Sequence, residues 1–211
     1  MSETPSAGAS PSEAEEIALF PLRAVVYPGG PLGLRIFEPR YLDMIRAALK
    51  SHKDFGVLLI LAGTEVGPVE TAAVGTSVRI VDFSQLPDGL LGISCVGTRR
   101  FRLRSRRQQH DGLNVGSVEW LAEPSGVALP SRFEGLAQLV ESLLPEFGER
   151  YRHVERRLDD AAWVGYRLTE ILPLTPEDKQ SSLELDDPLE RLERLALATA
   201  QLGERRRGRD A

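Results

Sequence analysis

The side chains most able to do chemistry in this chain are few and scattered. Cys95 is its single cysteine, and His52, His110 and His153 are its three histidines. A thiol nucleophile needs a base that makes it a thiolate. Cys95 instead alternates within an apolar strand with no positioned base near it in sequence, so it reads as a small buried residue. These four residues have no zinc spacing, and neither a metal nor a cofactor is expected. His52 and His110 fall at an element end and in a turn, where solvated imidazoles are common. No Gly-Lys dipeptide occurs, which removes the phosphate loop and its lysine. Gly29-Gly30-Pro31-Leu32-Gly33 lacks the glycine spacing of a dinucleotide fold and lies between strands. The carboxylate pairs Asp159-Asp160 and Asp186-Asp187 look like acid/base dyads, but both immediately precede helices. There, acids satisfy free amides and the positive end of the helix dipole.

The strongest charged feature is Arg99-Arg100-Phe101-Arg102-Leu103-Arg104-Ser105-Arg106-Arg107. On a regular strand Arg100, Arg102, Arg104 and Arg106 share one face. Such a stripe stays solvated on an edge, docks a partner, or contacts phosphates. No aromatic lies among the outward positions to stack a base. The chain as a whole is acidic, with 26 Lys and Arg against 31 Asp and Glu. RNA or anion contact is therefore the alternative reading, and a solvated strand the leading one.

The elements that must position these residues fall into two textures. Residues 1–15 form a Ser/Ala/Pro/Glu tail with almost nothing to bury and read as disordered. Ile17–Phe20 and Val25–Tyr27 read as strands ended by Pro21 and Pro28. Leu32, Leu34 and Ile36 alternate as a third strand, and Pro39 opens a short helix over Arg40–Leu49. Phe55–Ala62 is a strand buried on both faces. Further strands hold Val78 to Phe83, Leu90–Val96, the arginine run and Val115–Leu121, with turns at Pro87-Asp88-Gly89 and His110-Asp111-Gly112. Beyond Pro124–Pro130 the period becomes helical. Phe133, Leu136, Val140, Leu143 and Phe147 make one stripe stopped by Gly148, and Trp163, Val164, Leu168, Ile171 and Leu172 make another. Thr175-Pro176 and Asp187-Pro188 start two more helices, the last ending before Gly203. The fold class is α+β, with a β-domain over 16–123, a helical bundle over 124–203 and a basic tail over 204–211. Cleavage between Pro124 and Pro130 is expected to give two fragments of different secondary structure.

Composition excludes several classes of protein. No apolar run reaches the ~18 residues of a membrane-spanning helix. The acidic amino terminus has no basic region of a secretory signal, and a lone cysteine forms no internal disulfide and suits a reducing compartment. A cytoplasmic location is expected.

Several segments, in order, resemble the Lon protease amino-terminal (substrate-binding) domain family. They are Leu19-Phe20-Pro21-Leu22 with Val25-Val26-Tyr27-Pro28-Gly29, and Leu34-Arg35-Ile36-Phe37-Glu38-Pro39-Arg40-Tyr41. Gly75-Thr76, Pro87-Asp88-Gly89 and Gly97 with Arg99-Arg100-Phe101 follow. Lys179-Gln180 and Asp186-Asp187-Pro188-Leu189-Glu190-Arg191-Leu192 complete the set. The second segment is similar to the family's free-standing branch. The resemblance implies a bent, PUA-like β-domain followed by a helical bundle. It also implies a non-catalytic module that recruits protein or peptide, without the ATPase and Ser-Lys protease domains of Lon. The implied partners are unfolded or peptide segments of other proteins, with a protease or quality-control partner. Pro5-Ser6-Ala7-Gly8 spells the tetrapeptide around that protease's serine. In a tail with no element to fix a base or oxyanion donors, it is a chance match. Within Phe37–Tyr41, Pro39 starts the helix, Glu38 can meet its free amides, Arg40 can pair with Glu38, and Phe37 and Tyr41 can clamp it to the sheet. The partner contacts expected are the aromatic residues Tyr27, Phe37, Tyr41 and Phe83.

Overall fold

Side-chain alternation over the first half builds a sheet that bends back on itself. The computed structural model describes residues 15–63, 69–124 and 126–207, with the backbone alone for 203–207. Residues 1–14 of the expected tail, with the Ser6 tetrapeptide, and residues 208–211 lie outside the described residues, whereas Glu15 already belongs to β1. The strands are β1 (Glu15–Leu22), β2 (Pro31–Ile36), β3 (Phe55–Gly63), β4 (Val69–Thr71), β5 (Val74–Gln85), β6 (Leu91–Gln108) and β7 (Asn114–Trp120), with helix α1 (Pro39–Ser51) between β2 and β3. Their order is β1-β7-β6-β5-β3-β4 with β2 added to β6, and a β1–β3 pairing closes the circuit. One face of this sheet and α1 enclose Phe20, Ile36, Tyr41, Met44, Ile45, Phe55, Val57, Val78, Ile93 and Cys95. Burial first, and the charge of Asp54 second, push the Cys95 thiol up to about 12. A thiol held protonated is inert, as its strand position suggests.

Two strands depart from the expected boundaries. β1 does not stop at Pro21 but runs through it to Leu22. Its pairing with β7 ends at Leu19, so at Pro21 only β3 lies alongside, and a residue without an N–H is tolerated on the open side. Val25–Tyr27 is irregular chain rather than a strand. It is fastened by the Thr76 hydroxyl, which donates to the Val26 carbonyl at 2.6 Å. Mutual backbone bonds of 2.8 Å also join Gly29 and Gly30 to Gly97. Gly97 permits that approach, because a Cβ there would lie 2.1 Å from the Tyr27 carbonyl oxygen.

The arginine stripe does not form, and a bulge explains why. In the β6–β7 ladder Leu103 faces Val118 and Ser105 faces Ser117, so Arg104 is an extra residue without a partner. A bulge shifts the alternation by one. Arg102 therefore shares the face of Glu119 and Ser117, whereas Arg106, opposite Gly116, is on the reverse face. Arg104 pairs with Glu119, Arg107 with Glu16 at 2.9 Å, and Arg106 donates to the Val69 carbonyl. Arg100 is fully buried. The expectation of four solvated arginines on one face is thus corrected.

The second half is helical: a 3-10 turn (Ser131–Phe133), α2 (Glu134–Leu143), a 3-10 segment (Leu144–Tyr151), α3 (Ala161–Ile171), α4 (Pro176–Glu184) and α5 (Pro188–Arg207). Gly148, at φ +41°, breaks the helical run where the sequence places a stop. Asp160, Thr175 and Asp187 accept from backbone amides at the starts of α3, α4 and α5. α5 continues past Gly203 to Arg207, correcting the expected end. One glycine costs a helix only ~1 kcal/mol. Among the described residues, no helix is long and apolar enough to cross a membrane.

α3 is buried almost all round because it is wedged between the two halves. Val164 and Leu168 pack with Phe133, Leu136, Val140, Leu192 and Leu195, while Ala162 and Tyr166 pack with Tyr27, Val74 and Leu183. Polar side chains complete this junction. Tyr27 donates its hydroxyl to the Lys179 carbonyl at 2.7 Å, and Gln180 donates to the Val74 carbonyl at 3.0 Å. Three fully buried arginines lie here, Arg100, Arg167 and Arg191. Arg191 donates to the Ser182 carbonyl at 3.0 Å and lies over the Tyr166 ring at 4.3 Å. Asp186, one of the acids expected to cap a helix, instead pairs with Arg100 at 3.1 Å.

Candidate functional site

The Phe37–Tyr41 segment sets α1 against the sheet. Pro39 is the first helical residue, and Glu38 precedes it in extended conformation without a side-chain capping bond. Its carboxylate pairs with Arg40 at 2.8 Å. Tyr41 stacks on Phe20 with ring centroids 4.1 Å apart. Arg40 also donates to the Gly112 carbonyl at 2.9 Å, tying the start of α1 to the β6–β7 turn. At the other end, His52 takes a left-handed conformation (φ 52°) and ends α1, and Lys53 and Asp54 lead into β3.

These ties leave a groove of about 610 Å³ between α1 and the strands. One wall is the later half of α1, with Met44, Ala47, Ala48 and Ser51; the other includes Arg99, Trp120 and Glu15–Ala18 of β1. Trp120 is held in place from three sides. Its indole N–H donates to Glu15 at 2.8 Å, its ring meets Phe101 edge-on at 6.2 Å, and Arg99 lies 4.6 Å above it. On the floor, Asp54 accepts from Thr98 at 2.7 Å and from Arg79 at 3.3 Å, and Ser77 lies 2.7 Å from the Thr98 hydroxyl. Among the described residues no imidazole or amine hydrogen-bonds to either hydroxyl. The chain of Ser77, Thr98 and Asp54 ties β5, β6 and the start of β3 together at the floor.

Of the four aromatics expected to touch a partner, the structure places only two at the surface. Tyr27 is 0% exposed in the junction and Tyr41 is 3% exposed in the β core, so both support the fold. Phe37 and Phe83 are 61% and 62% exposed, so Phe37 does not clamp the helix as expected. Neither lines the groove. They belong to one end of the β2–β6–β5 ribbon, where Ile36 faces Leu91 and Phe83 faces Ile93. The groove residues Ala47, Trp120 and Asp54 were not singled out by sequence. Trp120 carried a signal, since it continues the Gly116, Val118 parity to the end of its strand. Ala47 and Asp54 carried none.

A closed, bulged sheet joined to a helical bundle, with an open groove beside α1, defines an α+β domain. Residues 16–198 match the family model described as the ATP-dependent protease La (LON) substrate-binding domain, and the chain belongs to that family. A Lon N-terminal domain protein from Xanthomonas campestris has a similar solved structure, with 42% identity and a TM-score of 0.73 over 87% of this chain and 98% of that one. The N-terminal domain of a Mycobacterium avium complex Lon protease shares the fold at 17% identity, with a TM-score of 0.57 over 86% of this chain and 96% of that one. Lon protease of Escherichia coli K12 is 30% identical over 199 residues, which cover 87% of this chain and 24% of that protein. This chain thus spans about a quarter of the curated relatives it matches.

Proposed function

We propose that this domain is a non-catalytic, cytoplasmic module that holds unfolded or extended segments of other proteins for quality control, and that the groove beside α1 is where it holds them. The observation that carries this reading is the groove itself, with small and apolar side chains on α1 facing a half-buried tryptophan. The substrate-binding description of its family supports the same class of ligand. Phe37 and Phe83 add a second apolar contact at the far end of the sheet. The RNA reading loses its support, since the bulge divides the arginine stripe and Arg100 is buried.

A labelled, reduced and carboxymethylated protein that cannot refold serves as the probe, with affinity read by fluorescence anisotropy. Ala47 is exposed on α1 and lines the groove, so Ala47→Trp fills the space without entering the core. It should weaken binding at least about tenfold, a loss of about 1.4 kcal/mol, with the melting temperature unchanged. An unaltered affinity would remove the groove from the proposal.

The ionic-strength response separates the two readings. Burial of apolar surface persists when exposed charges are screened. Affinity should therefore change less than about threefold between 0.1 and 1 M salt, and Arg102→Gln with Arg104→Gln should bind like the parent. A fall of several orders of magnitude with salt, together with loss of binding in the arginine variant, is the behaviour of a phosphate binder and would overturn the proposal.

A further inference from the structure

We propose that the held segment enters the groove as an additional strand alongside Glu15–Ala18 of β1, so that recognition runs through its main chain. This inference rests on the groove reading above and specifies how the ligand is bound.

Side chains of a strand point alternately to opposite faces, so a pocket on one face touches every second residue. Here Glu15, Glu16, Ile17 and Ala18 all line the same groove. A cavity touched by four successive strand residues runs along the strand's edge. The pairing pattern shows which edge. β7 lies beside Glu15–Leu19 throughout, from Val118 to Asn114. On the other side β3 pairs in parallel only from Leu19 opposite Gly56 onward. Before that point the chain turns away through His52, Lys53 and Asp54 into α1. Among the described residues, no strand lies on that side of Glu15–Ile17.

An unpaired strand edge is a template for another extended chain. The facing wall suits one, because Ala47, Ala48 and Ser51 are small and leave width for a backbone. Three of the nearby acids are engaged, Glu16 with Arg107, Asp43 with Arg46 and Asp54 with Arg79, while His52, Lys53, Arg99 and Asp111 also line the groove. The groove therefore offers main-chain pairing along β1 and apolar contact at Met44, Ala47, Ala48 and Trp120, beside charges of both signs. The ligand class is an extended polypeptide of varied sequence, with small side chains toward α1 and larger ones toward Trp120. Proline at a paired position would be excluded, as it lacks the N–H.

Amide exchange of the full chain, measured by NMR with and without the reduced and carboxymethylated probe protein, tests this mode. Alternate amides of Glu15–Ala18, those directed away from β7, should exchange at least about tenfold more slowly in the complex. Ala47→Trp should abolish that protection. If the probe binds and perturbs Ala47 and Trp120 but exchange along β1 is unchanged, strand addition is wrong while the groove reading stands. If the probe does not bind at all, both fail.

Discussion

Replacing Arg100 with methionine is expected to lower the stability of the whole chain by about 3 kcal/mol or more, with strand and helix signals lost in one transition. A guanidinium has five N–H donors, and here the whole fork is used. Nε meets Glu123 at 3.1 Å; one terminal nitrogen meets the carbonyls of Leu183 and Leu185 at 2.9 and 3.0 Å; the other meets the Ala122 carbonyl at 2.9 Å and Asp186 at 3.1 Å. The side chain comes from β6, and three of its acceptors belong to the end of α4 (Leu183) and the α4–α5 connection (Leu185 and Asp186). Asp186 is 85% exposed and recovers water when the arginine is removed, whereas the Leu183 carbonyl bond lies in the buried interior. Urea unfolding followed by far-ultraviolet circular dichroism and by tryptophan fluorescence checks the size and the coincidence of the loss. Arg102→Gln, at a partly buried side chain, and Arg104→Gln, at an exposed one, should each cost no more than about 0.5 kcal/mol. An Arg100 variant that unfolds like these two would show that the halves are not joined through this residue. The switch from strand to helix between Trp120 and Ser131 separates two kinds of secondary structure. With Arg100, Tyr27 and Gln180 bonded across the junction, we expect the two fragments to depend on each other for folding.

The halves of this fold were legible in the sequence because they rest on period alone. The alternation of Leu32, Leu34 and Ile36 and the helical stripe of Phe133, Leu136 and Val140 correspond to β2 and to the turn leading into α2. Capping chemistry is equally local, and Thr175, Asp160 and Asp187 accept amides as their positions suggest. What failed depends on partners far along the chain. Arg100 and Arg102 have the same parity, and both flank Phe101. One is buried because the α4–α5 connection, more than 80 residues later, lies over it. The bulge at Arg104 is set by the register of β7 and leaves no mark on the arginine run. Residue type alone marks Tyr27 and Tyr41 as contact aromatics, but cores use the same rings for packing, and both are buried. The groove was least legible, since an open strand edge follows from where β3 departs from β1, and no residue type records that departure.

The second large effect is expected at the buried pair Arg167 and Glu170. Arg167 is fully buried, lies 3.2 Å from Glu170, and donates to the Pro28 carbonyl at 3.2 Å. Burial, the largest influence, raises the Glu170 carboxyl above the usual carboxylate range; Arg167, then Arg150, Tyr151 and Lys179, draw it back. Tyr27 from the facing loop also feels its charge, and burial pushes that phenol well up. A carboxyl raised on folding holds its proton more tightly in the native state. Its contribution to stability is therefore complete below the unfolded value and declines as pH rises through the folded one. Arg167→Met removes the strongest opposing influence, so the folded value climbs further and the decline with pH deepens. The variant should lose about 3–5 kcal/mol near pH 7, where a buried carboxylate would have lost its strongest opposite charge, and clearly less near pH 5, where the carboxyl is more readily neutral. Adding Glu170→Gln removes the titrating group and keeps its shape, so Arg167→Met with Glu170→Gln should recover much of the stability at pH 7. The excess loss between pH 5 and pH 7, relative to the parent, should also disappear. Urea midpoints of the parent, both single variants and the double variant at the two pH values measure the coupling directly. A double variant no more stable at pH 7 than Arg167→Met alone would mean that the loss comes from packing and the Pro28 contact. The buried charge would then not be what makes Arg167 necessary.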